Sequence, residues 1–393
     1  MYNSLEKEFE KRFSNPKRIF NIFCPYRVCP LGAHIDHQNG KVNGFAIDKG
    51  MEMCFDVTED GSVELESLNK PGRVEFNVNS CNSIKRGDWG DYPIGATRAI
   101  VRHRKLTKGV RGVIYGSLPI GGLSSSAALT VVFIHALSIA NEIVLDPQDV
   151  INSALWAENV HVGVNCGKLD QSCVVRCKKD NLLYLDNLDD SFTLIPKAKD
   201  CKPFEIAVFF SGVPRDMRQS AFNVRVSEMR SAAYALKAYA GMEYADIDTT
   251  HMREVPRSVF EEYKDRLPDA WRLRATHYYT EMERVESGVK LWEKGDIEGY
   301  GKLIFESGES SVYNYQTGSE QLIKLYEIMH RTDGIYGGRF SGAGFKGCCM
   351  ALIDPAFKDV IIKNVTREYL AAFPELKGDY SVHICQTADG CGG

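Results

Sequence analysis

Leu118-Pro119-Ile120-Gly121-Gly122-Leu123-Ser124-Ser125-Ser126-Ala127-Ala128 stands between Gly109 to Leu118, which reads as a strand, and an apolar stripe that reads as a helix. Leu129, Val132, Phe133, Ala136, Leu137 and Ala140 follow the i, i+3, i+4, i+7, i+8, i+11 spacing of one helical face, and that helix begins directly after the serines. Glycine permits close backbone approach, and a helix N-terminus supplies free N–H donors and a favourable dipole, the two things a phosphate needs. The serine hydroxyls can add hydrogen bonds or a Mg²⁺ ligand. The plainer alternative is a glycine turn with a serine N-cap. No Gly-Lys-Ser/Thr follows, so the run is not a Walker loop.

Working outward, Arg18 to Val28, Phe45 to Val57 and Ser62 to Leu68 read as further strands of one mixed sheet. A helix is expected from Pro147 to Val160, with strands at Leu182 to Leu185 and Phe204 to Phe210. The turn-prone stretch after Asn187, with Asp189-Asp190, marks the junction of two domains, 1–190 and 191–393. Helices are expected over Asn223 to Ala240, Trp271 to Lys294 and Ile297 to Asn314, before strands return at Cys348 to Leu352 and Ser381 to Cys385. The fold class is α+β.

At 393 residues the chain exceeds one ordinary core, which also favours two domains. A net charge of -4 without a Lys/Arg block argues against nucleic acid and anionic membranes, and leaves small molecules as partners. The N-terminal MYNSLEKEFEKRF alternates charged and apolar residues at helical spacing without a signal-like apolar core, and no stretch is apolar enough to span a bilayer, so a cytoplasmic protein is expected. Twelve scattered cysteines, none at zinc-ribbon spacing, read as reduced and mostly buried thiols.

Three more segments can carry chemistry. Pro25 to Gly40 packs polar groups into a turn after a strand; His34, Asp36 and His37 are possible metal ligands there, but nothing else completes a metal site. Trp156 to Ser172 holds two carboxylates, Glu158 in a helix and Asp170 beyond a glycine-punctuated loop, the latter placed as a base or magnesium ligand. Gly337 to Cys349 is a glycine cluster running into a strand, a weak signal by itself.

In this order the four segments resemble the signature motifs of the GHMP kinases, the superfamily of galactokinase, homoserine kinase and mevalonate kinase. Arg27 to Gly40 looks like the sugar-binding motif of galactokinase, and Ala157-Glu158 to Cys166-Gly167 with Asp170-Gln171 looks like its catalytic segment. The similarity runs on through Phe222 to Arg225 and Arg274-Ala275-Thr276-His277, covering nearly the whole chain. The resemblance implies an N-terminal domain like ribosomal protein S5 domain 2, a ferredoxin-like C-terminal domain, and ATP meeting sugar between them. By position, it gives Asp170 as catalytic base with Arg27 beside it, Ser126 and Glu158 as Mg²⁺ ligands, and Ile120, Gly121, Gly122, Leu123, Ser124, Ser125 and Ser126 as the ATP loop, with Ser67 as a further nucleotide contact. Ala33, His34, Ile35, Asp36, Gly167 and Phe222 fall at sugar-binding positions.

Galactokinase has a Glu before the His of its sugar motif, where it would accept a hydrogen bond from the C6 hydroxyl; here that position is Ala33. A Glu would repel a C6 carboxylate about 4 Å away by roughly 4 kcal/mol at an effective dielectric near 20, and Ala would admit it. This segment and Phe340 to Phe345 followed by a basic residue look closer to the galacturonokinase branch of the family. The leading expectation is therefore phosphorylation of the anomeric hydroxyl of D-galacturonate, with galactokinase acting on galactose as the alternative. A catalytically silent sugar sensor is a third reading, opposed by the retention of Asp170, Arg27, Ser126 and Glu158. A uronate needs a cation, for which Lys168, Arg215 and Arg218 are candidates. Two departures from the galactokinase pattern are Phe222 in place of a Tyr and a phosphate loop one residue shorter between Pro119 and Leu123.

Overall fold

The structure, a computed structural model, describes residues 2–81, 84–213, 221–243 and 246–392. In chain order its elements begin with α1 (Tyr2–Arg12), β1 (Phe20–Val28), β2 (Lys41–Thr58), β3 (Ser62–Ser67), β4 (Arg73–Asn77), α2 (Asp91–Val101), β5 (Gly109–Gly116), α3 (Ser125–Ala140), α4 (Pro147–Trp156), α5 (Leu169–Arg176), β6 (Asn181–Asp186) and β7 (Phe192–Pro196). They continue with β8 (Glu205–Phe210), α6 (Ala221–Tyr239), α7 (Arg257–Tyr263), α8 (Asp269–Glu293), α9 (Ile297–Tyr313), α10 (Glu320–His330), β9 (Ile335–Phe340), β10 (Cys348–Ile353), α11 (Lys358–Ala372), β11 (Ser381–Cys385) and β12 (Thr387–Ala388).

Among the described residues two sheets organise the chain. The first runs β4-β3-β5-β2-β6-β7, with β1 and β12 also paired to β2; the second is a four-stranded sheet in the order β11-β8-β10-β9. The long β2 is the spine: its later residues pair β5, from Met51 opposite Gly116 to Thr58 opposite Gly109, and its first residues pair β6. Twelve of the sixteen residues of α3 are buried, as expected of a helix that is apolar on most sides. The N-terminal helix buries Leu5 and Phe9, with Phe13 just beyond its end, against Cys54 and Val113.

The division expected at 190/191 falls in the turn of the β6–β7 hairpin, so the first sheet takes its last strand from beyond that point. One apolar core also runs across it: Phe45 and Val28 share a cluster with Trp292, Tyr300, Cys348 and Met350. Trp292, near the end of α8, tilts against Phe45 at 5.2 Å and donates its indole N–H to Ile195 O at 3.0 Å. The chain's last strand closes back on the first sheet, Thr387 opposite Ile47, and the tail caps α5: the amides of Gly390, Cys391 and Gly392 donate to the carbonyls of Cys177, Val174 and Val175.

Elements β4, α2, α5, β7, α7, α10, β9, α11 and β12 have no counterpart in the sequence reading. Only Val74 of β4 is fully buried, so β4 lacks a clear alternation. In α2, nine of the eleven residues are buried and Pro93 and Gly95 interrupt the run, which leaves no polar face to mark the helical period. The cysteines are free thiols, eight of them buried.

Candidate active site

The turn after β1 is buried, so its backbone needs partners from elsewhere. Helix α8 supplies them. Glu281 Oε1 accepts from the Gly32 amide at 2.7 Å, and His277 Nε2 meets Ala33 O at 3.0 Å while its Nδ1 meets Ser310 Oγ at 2.9 Å. Nε2 must carry the proton, because a carbonyl only accepts. Asn43 Oδ1 accepts from the Leu31 amide and from Tyr300 OH. These anchors hold His34 in the left-handed region, at φ 66°, a conformation that costs a non-glycine residue about 1–2 kcal/mol. The His34 ring stacks on Tyr315 at 4.3 Å, and its buried Nε2 has no protein partner. Burial, followed by the nearby Arg339 and His277, holds this imidazole well below its ordinary pKa, so His34 is neutral at pH 7.

Glu281 is itself fully buried. Burial opposes its ionised form, but Arg284, Arg339, His277 and the Ser307 hydroxyl outweigh that and bring its pKa down to about 2. Glu281→Ala would leave Arg339 buried without its counter-charge and free the Gly32 amide; a loss of about 3–5 kcal/mol is expected, read from the urea midpoint. Because the native pKa lies below the ordinary 4.5, Glu281 stabilises the fold above that pH and loses its effect as pH falls through about 2. The cost of the substitution is therefore constant from pH 6 to 8 and shrinks in acid.

Arg27, at the end of β1, joins the turn to the loop before α3. Its Nε donates to Asp170 Oδ1 at 2.7 Å and its Nη1 to Gly122 O at 3.0 Å, with the guanidinium almost fully buried. Burial opposes the charge, yet the Asp170 carboxylate keeps Arg27 protonated. The Asp36 carboxyl is pushed up to about 6 by burial and then by the Asp170 charge, with the His37 amide and Arg27 acting the other way. Gly167 lies directly behind Asp36: a Cβ there would come within 2.7 Å of the Asp36 carboxyl carbon.

The glycine cluster expected near the C-terminus forms the lid of the phosphate-type loop. Gly122, at φ +88°, would place a Cβ 2.7 Å from Cys348 Sγ and 2.9 Å from Ser341 O, so only glycine fits. Ser341 Oγ donates to Gly122 O at 2.6 Å. Gly342 and Gly347 seat on the backbones of Gly122 and Gly121. Ser124 does not cap α3, and its hydroxyl is buried without a partner. Ser126 Oγ lies 3.5 Å from Glu158 Oε2, and Glu158 is presented by a π-helical turn over Ala157–Val162 and steadied by Gln171. Insertions of this kind are common at functional sites.

One cavity brings together Arg27, Ala33, His34, Asp36, Gly122, Ser124, Ser126, Glu158, Asp170 and Phe222. Ile35 is buried in the core, and Gly167 acts from behind Asp36. Ser67, Ile120, Gly121, Leu123 and Ser125 are not part of its wall. Lys168 is not a cation of the cavity: its ammonium is paired with Asp190 at 2.5 and 2.7 Å. Arg215 and Arg218 lie outside the described residues. The wall also contains Ala343, Phe345 and Lys346 from the glycine cluster, and Cys166, none of which the sequence reading assigned to the site. The anchors His277 and Glu281 were missed as well, although they stand four residues apart on one helix face.

The GHMP kinases N terminal domain profile matches residues 91–178. Galacturonokinase of Arabidopsis thaliana is 37% identical over 94% of this chain and 92% of its own length. Galactokinase of Fusobacterium nucleatum is 30% identical over 100% of this chain and 99% of its own, and that of Clostridium tetani is 31% identical over 97% and 96%. In fold, the chain resembles the crystal structure of Lactococcus lactis galactokinase complexed with galactose, with a TM-score of 0.90, 24% identity and coverage of 99% of this chain and 98% of the other. A mevalonate kinase structure matches at a TM-score of 0.65 and 16% identity over 94% and 99%. The α+β architecture is that of the GHMP kinases, no helix among the described residues is long and apolar enough to cross a membrane, and the chain belongs to the galactokinase family of these ATP-dependent kinases, as a sugar kinase.

Proposed function

We propose that this protein transfers the γ-phosphate of ATP to the C1 hydroxyl of D-galacturonate, giving galacturonate 1-phosphate. The observation that carries the substrate is Ala33, a methyl in the cavity wall beside His34, where galactokinase would present a carboxylate. The 37% identity to a galacturonokinase, against 30 and 31% to galactokinases, supports the same reading.

Asp170 accepts the proton of the C1 hydroxyl, and Arg27 Nε, 2.7 Å from its Oδ1, holds that carboxylate in place. His34 Nε2 and Asp36 take ring hydroxyls, while Phe222, set edge-on to His37 at 5.6 Å, gives an apolar wall. The loop amides before α3 and the unpartnered Ser124 hydroxyl hold the phosphates. Ser126 and Glu158 fit Mg²⁺: their oxygens lie 3.5 Å apart, within reach of one ion that takes oxygens at about 2.1 Å and keeps its remaining sites for water and phosphate. When bound, Mg²⁺ neutralises phosphate charge.

Because sugar hydroxyls donate to an ionised carboxylate, binding should draw Asp36 below its free value of about 6. Sugar binding at pH 6 is expected to release protons, and affinity to fall as pH drops through 6. Titration calorimetry in two buffers of different ionisation enthalpy measures this; identical heats would show that Asp36 does not contact the sugar.

The function is tested by ADP formation with purified protein and galacturonate, galactose, glucuronate or N-acetylgalactosamine. Galacturonate is expected to turn over fastest. Faster turnover of galactose would favour the galactokinase reading, and ADP formation with none of the four would favour a silent sensor.

A further inference from the structure

Galacturonate brings one full negative charge more than galactose, and a carboxylate leaves water at little cost only where a cation meets it. Among the described residues the cavity wall carries three carboxylates, Asp36, Glu158 and Asp170, and two cations, Arg27 and Lys346. Arg27 is committed to Asp170 and Gly122 O, and Lys168 to Asp190 outside the wall. Lys346 has no ion-pair partner among the described residues.

We propose that Lys346 Nζ receives the C6 carboxylate of the substrate and thereby sets the preference for a uronic acid over the neutral hexose. This rests on the galacturonate reading and assigns to it the residue that reads the charge. Lys346 stands in the wall between two anchored glycines, Gly344 and Gly347. Gly344 faces Thr317, where a Cβ would lie 3.0 Å from the threonine Oγ1, and Thr317 follows two residues after Tyr315, on which His34 stacks. Gly347, on the other side, seats on Gly121. A flexible four-carbon stem based between these points serves a group bound beside the sugar turn. Ala33 removes the competing negative charge from the same cavity, so the two residues act in one direction.

The same ammonium could instead serve the phosphates of ATP. The phosphates, however, have the N-terminus of α3, the loop amides and the Ser124 hydroxyl, whereas among the described residues of the wall a C6 carboxylate has no other uncommitted cation.

The test compares wild type, Lys346→Met and Lys346→Arg, each with an unchanged melting temperature, by calorimetric binding of galacturonate and of galactose without nucleotide, together with the KM for ATP. In Lys346→Met the ratio of the galacturonate to the galactose dissociation constant is expected to rise about a hundredfold, with Lys346→Arg recovering most of the difference. Equal weakening of both sugars, or a raised KM for ATP with the sugar ratio unmoved, would overturn the proposal in favour of a phosphate contact. If wild type prefers galacturonate and Lys346→Met keeps that preference, Lys346 alone is wrongly assigned. A wild type that prefers galactose sinks the galacturonate reading and Lys346 with it.

Discussion

Asp170→Asn is expected to lower kcat by about 10²–10⁴-fold while ATP still binds. Asparagine keeps the shape and still offers an oxygen to Arg27 Nε, which Asp170 holds at 2.7 Å, so the geometry of the cavity survives. It cannot take the C1 proton. Arg27, almost wholly buried, would then face the phosphates without its counter-charge, and nucleotide affinity should rise or hold as transfer falls. That split separates a base from a mere anchor, since loss of an anchor would weaken binding along with turnover. In phosphoryl transfer much of the barrier is met by positioning and charge. A kcat within tenfold of wild type would therefore assign Asp170 to holding Arg27 rather than to proton transfer.

Ala33→Glu is expected to cost galacturonate about a thousandfold in kcat/KM, the equivalent of roughly 4 kcal/mol between two carboxylates about 4 Å apart at an effective dielectric near 20. Galactose should lose far less, because its C6 hydroxyl can donate to the new carboxylate. The backbone at this position is fixed independently of the side chain by the His277 contact to Ala33 O, so the turn should keep its course. The residue is only 7% exposed, and the larger side chain has the cavity as its outlet. The measurement is the ratio of kcat/KM for the two sugars in the variant and in wild type. Equal losses would mean that the methyl does not face C6.

How much of this was legible beforehand depended on the distance over which each feature is built. The glycine-serine loop and α3 were readable because strand, turn and helix follow one another within some thirty residues, each with its own local signature. The Arg27–Asp170 pair, 143 residues apart, came only from the resemblance of whole segments to a known family. Lys168 stands two residues before Asp170 and looked like a cavity cation, but sequence spacing does not say which way a long side chain turns, and Asp190 captures it. The contacts from α8 to the turn at Gly32 and Ala33 span 244 and 249 residues. They use backbone atoms of Gly32 and Ala33 that leave no side-chain pattern. Lys346 was noticed only as a basic residue after Phe345, because nothing local shows that the loop folds over Gly121 and Gly122.

The closure of the tail on α5 sets an order of events during synthesis. A chain emerges from the ribosome N-terminus first and folds domain by domain as it appears, so the loop at Gly121 and the turn at His34 are available early. The carbonyls of Val174, Val175 and Cys177, at the end of the helix that carries Asp170, accept hydrogen bonds from the amides of Cys391, Gly392 and Gly390. Strand β12 likewise reaches β2 only when this tail is made. The helix that carries Asp170 is therefore completed only once residues 390–392 have been made, and a nascent chain short of residue 390 carries Arg27 and Asp170 without the contacts that fasten them.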